Sequence, residues 1–129
     1  MPQFLNPEGG PKPAGNYSMV AVHGANARRA VVSGQVGTRP DGTIPEGVEA
    51  QMRQAAENLK AVLAGIGMKP TDIVKITAFC TVPGSVGAWR TIRAEVLGDH
   101  KPASTWLEVA GLAAPQWLFE VEAEAVQEG

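Results

Sequence analysis

The sequence predicts a single α+β domain in which one mixed sheet carries two helices on the same face. Three observations lead there. Residues 48–64 contain neither glycine nor proline and repeat apolar side chains at helical spacing, residues 72–82 and 116–126 alternate apolar and polar side chains, and the two kinds of segment take turns along the chain. A length of 129 residues, 44% of them apolar and 19% charged, suits one core of ordinary size and excludes a disordered segment.

The elements follow in order. Residues 1–15 hold Pro2, Pro7, Gly9, Gly10, Pro11, Pro13 and Gly15, and read as an extended lead-in crossing the surface. Tyr17–Val22 and Ala30–Val36 are rich in β-branched or small apolar residues and flank Gly24-Ala25-Asn26, which predicts an antiparallel hairpin. Val48–Ala64 is the first helix, with Met52, Ala55, Leu59, Val62, Leu63 and Ile66 at core spacing and Glu49 and Arg53 as an i,i+4 pair. Gly65, Gly67 and Pro70 stop it. In Asp72–Val82 the residues Val74, Ile76, Ala78, Cys80 and Val82 face one way, and Ile73, Lys75, Thr77, Phe79 and Thr81 the other. A second helix, Val86–Leu97, has Ser85 as its N-cap and Trp89, Ile92 and Val96 on its inner face. Two strands close the chain, Ser104–Ala110 and Gln116–Val126. In the latter Trp117, Phe119, Val121, Ala123 and Ala125 line one face, and Leu118, Glu120, Glu122 and Glu124 the other.

The order is therefore β-β-α-β-α-β-β, and each helix joins two parallel strands by a right-handed crossover. The sheet face away from the helices carries Phe79, Ile73 and Leu118 beside Thr77, Glu120 and Glu122. That mixture is too apolar for water and too polar for a dry core, so a second subunit is expected to cover it, with a small-molecule site in the cleft between chains.

Composition narrows the function. Lys and Arg number 11 against 13 Asp and Glu, net −2 with no basic run, so nucleic acid is not an expected partner. A single cysteine and two distant histidines, His23 and His100, predict no metal site and no disulfide. No start resembling a secretion signal and no apolar stretch near 18–20 residues is present, so the expectation is a soluble cytoplasmic chain with no membrane partner. Without such a signal, the glycosylation-type triplet Asn16-Tyr17-Ser18 reads as an accident of spacing.

Six segments carry a family resemblance: Tyr17-Ser18, Val31-Val32-Ser33-Gly34-Gln35, the helix around Gln51–Lys60, Asp72–Ile76, Pro102-Ala103 with Glu108–Leu112, and Phe119–Ala123. In unbroken order over residues 15–126 they resemble the Rid/YjgF family, the reactive intermediate deaminases also called endoribonuclease L-PSP. The resemblance implies a chorismate-mutase-like fold, a homotrimer with clefts between subunits, no cofactor, and hydrolysis of enamines and imines to keto acids and ammonia. It also implies site residues. Tyr17 matches the tyrosine that closes the cleft, Ser33 and Gly34 the backbone that approaches the ligand, and Glu120 the carboxylate that positions or activates water. Glu122 shares the face of Glu120, and like charges that close raise the pKa of one of them.

The chain departs from the family at its signature, Pro-Ala-Arg-Ser-Cys. Here it reads Pro102-Ala103-Ser104-Thr105-Trp106, with Ser104 where the family's arginine grips a substrate carboxylate. A hydroxyl supplies neither the charge nor the paired donors, and losing such a contact costs on the order of 2–5 kcal/mol. Arg28, Arg29, Arg39, Arg90 and Arg93 are available as replacements, and Arg90 and Arg93 on the second helix come first. Trp106 replaces the motif's cysteine, and Trp89 lies near a position where relatives carry asparagine, which would favour a larger or planar ligand by stacking. Thr105 is a candidate hydroxyl donor to ligand or water.

Structural readings stand beside these. The three glutamates also fit a solvated strand face, Thr105 a β-branched strand residue, and the tryptophans core packing. Cys80 reads as a buried small residue, His23 as a turn residue and His100 as exposed or capping. Two functions follow from the resemblance: a hydrolase of C–N bonds acting on an imine other than the archetypal small acid, or a trimer that binds a small metabolite or a partner enzyme without chemistry. The older name suggests a ribonuclease, which the acidic balance disfavours, and chorismate mutase activity would need several arginines converging on a dicarboxylate.

Overall fold

The computed structural model describes residues 2–10, 12, 13, 15 and 17–128. Asn16, and with it the glycosylation-type triplet, lies outside the described residues, as do Pro11 and Ala14 of the lead-in. Among the described residues six strands and two α-helices form: β1 (Gln3–Leu5), β2 (Val20–Val22), β3 (Arg28–Val36), α1 (Val48–Ala64), β4 (Ile73–Cys80), α2 (Val86–Leu97), β5 (Ala103–Glu108) and β6 (Phe119–Gln127). The main sheet runs β3-β6-β4-β5. β6 is antiparallel to both neighbours and β4–β5 is parallel, so β3 and β4 also share a direction across the strand between them. Both crossovers thus carry a helix, as the alternation of segments predicts.

Several expectations need correction. The hairpin between Tyr17–Val22 and Ala30–Val36 does not form: β2 pairs antiparallel with β1, and β3 pairs with β6. The lead-in supplies β2 with a partner instead, Phe4 lying opposite Ala21. Ile73 packs in the core at 2% exposure, not on the open face, because the β4–β6 register shifts between Ile73 and Lys75. Arg53 forms its ion pair with Glu95 of α2 at 2.6 Å, tying the helices together, and not with Glu49. Ser85 holds the N-cap position of α2 as expected, its side chain making no capping bond.

The core lies between the helices and one sheet face. Met52, Ala55, Leu59 and Leu63 of α1 and Ile92 and Val96 of α2 pack on Ile76, Ala78, Phe119, Val121 and Ala123. Val62 and Ile66 stay exposed at 41% and 43%, since the true stripe of α1 runs through Gln51 and Ala56. Gln51 is 2% exposed. Its amide nitrogen donates to the carbonyls of Pro45 (3.2 Å) and Gln116 (3.0 Å), and its oxygen accepts from the Leu118 N–H (2.8 Å). Those bonds fasten the chain entering β6, so the strand begins at Phe119. They need close approach: a Cβ on Gly37 would lie 2.7 Å from the Gln51 backbone.

Candidate functional site

Two groups of candidate residues form, on opposite faces of the sheet. The first surrounds a cavity of about 80 Å³ between α2 and the outer strand β5, with walls from Tyr17, Trp89, Arg90, Arg93, Ser104, Thr105 and Trp106. Tyr17 arrives there because the next residue is anchored. The Ser18 N–H donates to the Pro102 carbonyl at 3.1 Å and its Oγ to the Lys101 carbonyl at 2.6 Å, and Ser18 bridges Ala103 along the free edge of β5. Ser104 and Trp106 pair in register with Ile76 and Ala78, which belong to the core, so both turn toward the helices.

A guanidinium stands at Ser104. Arg93 is 7% exposed, and its Nη1 donates to Ser104 Oγ at 3.0 Å while the same hydroxyl donates to the Pro102 carbonyl at 3.1 Å. The hydroxyl is thereby fixed in orientation. Burial, and secondarily the nearby Arg90 charge, lower the Arg93 pKa from its ordinary value, yet a guanidinium stays protonated in neutral water. Arg90 is exposed at the rim, with its guanidinium against Gly15, where a Cβ would lie 3.1 Å from Nε.

The tryptophans take unequal parts. Trp89 is 4% exposed and packs on the Phe119 ring with centroids 4.6 Å apart, so most of its surface belongs to the core. Trp106 is half-buried, 6.4 Å from the same ring, and gives the cavity its accessible aromatic wall. The small volume runs against a site built for a large planar ligand within one chain.

The second group lies on the open face. Glu120 pairs in register with Phe79 and Val36, and its carboxylate rests on the backbone of Gly34: a Cβ there would lie 1.9 Å from Oε2. A register shift between Val32 and Gln35 lifts Ser33 and Gly34 out of the regular ladder to that place. Glu122, on the same face as Glu120, is exposed, and Glu124 forms an ion pair with Arg29. Lys75 Nζ donates to Thr105 Oγ1 at 2.6 Å, occupying an acceptor site so that the hydroxyl proton can serve another group. Lys75 was not among the residues singled out in sequence, since only the β4–β5 register places it opposite the signature segment.

One chain does not bring Glu120 to Ser104. Two strand spacings and about three residues separate them, roughly 14 Å between Cα atoms, and their side chains leave opposite faces. The remaining candidates are structural. Cys80 is buried and its Sγ meets the Val82 carbonyl at 3.6 Å. His100 hydrogen-bonds the Ile73 carbonyl through Nε2 at 2.7 Å and meets the Phe4 ring edge-on, which corrects the expectation of an exposed residue to a half-buried one. His23 is exposed in its turn, 2.8 Å from the Gly24 carbonyl. Among the described residues no three His, Cys, Asp or Glu side chains gather as a metal site requires, and no helix is long and apolar enough to cross a membrane.

Comparison with known proteins bears on the family and the fold. The family model described as endoribonuclease L-PSP matches residues 8–127. The RutC family protein YjgH of Escherichia coli is 42% identical over 116 residues, covering 85% of this chain and 88% of its own. A 2-iminobutanoate/2-iminopropanoate deaminase of Salmonella typhimurium is 33% identical over 132 residues, covering 98% and 99%. Among solved structures, a protein of the conserved Rid family from Yersinia pestis superposes with a TM-score of 0.85 at 28% identity, covering 98% of each chain.

Proposed function

The chain belongs to the endoribonuclease L-PSP, or Rid/YjgF, family, and from that premise we propose that it hydrolyses a carboxylate-bearing imine or enamine, with Arg93 supplying the guanidinium that the signature lacks. One observation carries this reading: the 3.0 Å bond from Arg93 to Ser104, the residue standing at the family's arginine position, in a cavity lined by Tyr17. A fork of donors held there meets a carboxylate from the helix side, where relatives reach it from the strand. The imine carbon then lies between Trp106 and the cavity mouth.

Glu120 is the proton acceptor in this proposal, and it comes from a neighbouring copy in a homotrimer. Water adds to the imine carbon as its proton passes to the Glu120 carboxylate, which hands that proton on to the nitrogen. Glu120 then takes the carbinolamine's hydroxyl proton and delivers it to the nitrogen as the C–N bond breaks, releasing ammonia, leaving a keto acid and restoring the carboxylate. Thr105, its oxygen engaged by Lys75 on the open face, belongs with Glu120 on the neighbouring copy, and from there donates its hydroxyl proton to the attacking water. Gly34, lacking a side chain, leaves room for the Glu120 carboxylate against its backbone.

The test uses imines formed in situ by amino-acid oxidases, with semicarbazide trapping whatever is not hydrolysed. The protein is expected to accelerate hydrolysis over buffer, and Arg93→Met to reduce kcat/KM by about 30-fold or more with a thermal unfolding midpoint showing a folded chain. No acceleration for any imine by an assembled protein would sink the reading. Stabilisation by a ligand without turnover would then favour the binding module.

A further inference from the structure

The cavity wall holds two guanidiniums and, among its described residues, no carboxylate. Arg90 and Arg93 lie three residues apart on α2, so their Cβ atoms are about 5–6 Å apart on one side of the helix. Their settings differ. Arg93 is buried and tied to Ser104 on the cavity floor, whereas Arg90 is exposed at the rim and held against Gly15. The Arg90 charge adds to burial in disfavouring that of Arg93, and a bound anion relieves both. The pair is found in a chain whose net charge is −2.

We propose that the substrate is a 2-imino dicarboxylate, the carboxylate beside the imine carbon bound at Arg93 and Ser104 and the second, distal carboxylate bound at Arg90. This rests on the deaminase reading and narrows it. Two cationic forks spaced along a helix match two carboxylates on a short carbon chain better than one compact dianion such as phosphate. The half-buried face of Trp106 lies along the same cavity and suits the methylenes between them.

The experiment compares the imine of D-glutamate, made by D-aspartate oxidase, with the imine of D-2-aminobutyrate, made by D-amino-acid oxidase. The dicarboxylate is expected to be hydrolysed with a kcat/KM higher by about tenfold or more, the worth of one further charge-assisted contact. Arg90→Gln should collapse that preference to within about twofold, while Arg39→Gln, the same charge change far along the chain, should preserve it. Equal or better hydrolysis of the monocarboxylate, or an Arg90→Gln loss that is the same for both imines, overturns the proposal. If neither imine is hydrolysed, the deaminase reading falls and calorimetry decides the second site separately. 2-Oxoglutarate binding about tenfold tighter than 2-oxobutanoate, and weakened by Arg90→Gln, supports two anion subsites. Equal binding of the two, or stronger binding of inorganic phosphate, overturns them.

Discussion

The two faces of the main sheet are made from the same four strands, yet they hold opposite chemistry. On the helix face Ile76, Ala78, Phe119 and Val121 are 0–2% exposed, and the polar groups that enter, Gln51 and Arg93, are tied to named partners. On the open face Glu122 is exposed beside Thr77, Lys75 and Ser33, with apolar Val31 left 66% exposed and Leu107 43%. The cations of the proposed chemistry reach the first face from α2, and its carboxylate stands on the second. What this teaches is that alternation along a strand separates neighbours in sequence: Ser104 and Thr105 diverge to opposite sides, and so do Phe119 and Glu120. A cleft needing residues from both faces has to be completed by a second copy, whose open face can present Glu120 to this chain's arginine.

The largest effect that can break this comparison is loss and recovery of activity by mixing. Glu120→Gln and Arg93→Met are each expected to lower imine hydrolysis by about 30-fold or more, since each removes a charged group that acts on the substrate or its water. Unfolded together and refolded as mixed assemblies, the two inactive variants should regain about a quarter of wild-type activity, because a site drawing one group from each of two chains is intact by chance in about that fraction. Recovery no greater than the sum of the separate variants would place both groups in one chain's site and dissolve the contrast between faces.

Stability sharpens it next. Phe119 is fully buried between Trp89 and Trp106, so Phe119→Ala should cost about 3–5 kcal/mol and loosen the aromatic wall of the cavity. Leu107→Ala on the open face should cost less than about 1 kcal/mol in the dissociated chain and, on the proposal that a neighbouring copy covers this face, more in the assembly. Urea unfolding at low and high protein concentration measures both. Equal costs at every concentration would mean that nothing covers the open face.

The regular parts of the molecule were legible because their periodicity is imposed by the core. The alternation of Phe119, Val121, Ala123 and Ala125 fixed β6, and the glycine-free run at Val48–Ala64 fixed α1. Illegible were the features that depend on long-range pairing. Nothing local in Gln3–Leu5 announces that it will take β2 from a hairpin with β3, and no spacing reveals a one-residue bulge that turns Ile73 inward. The site was half legible for the same reason. Arg90 and Arg93 could be named as candidates because the helix phase puts them on neighbouring turns, but their closeness to Ser104 follows from the packing of α2 over β5. Lys75 and Thr105 meet only through the β4–β5 register.

The smallest change that tests the open face is one methyl group. Gly34 lies in ordinary backbone territory rather than the left-handed region, so alanine can adopt its conformation, and replacing glycine within a strand should leave the fold as stable or up to about 1 kcal/mol more so. The new Cβ would nevertheless stand 1.9 Å from Glu120 Oε2 and 2.7 Å from Cδ, a distance no pair of atoms tolerates. The backbone need not move, because the carboxylate is the far end of a flexible side chain and can swing away. Gly34→Ala is therefore expected to raise or preserve the unfolding midpoint while lowering kcat about tenfold, since a displaced base no longer meets its water within hydrogen-bond reach. A loss of stability in parallel with activity would mean that Gly34 serves the strand. Full activity would mean that the carboxylate works from a position other than the one it holds over Gly34.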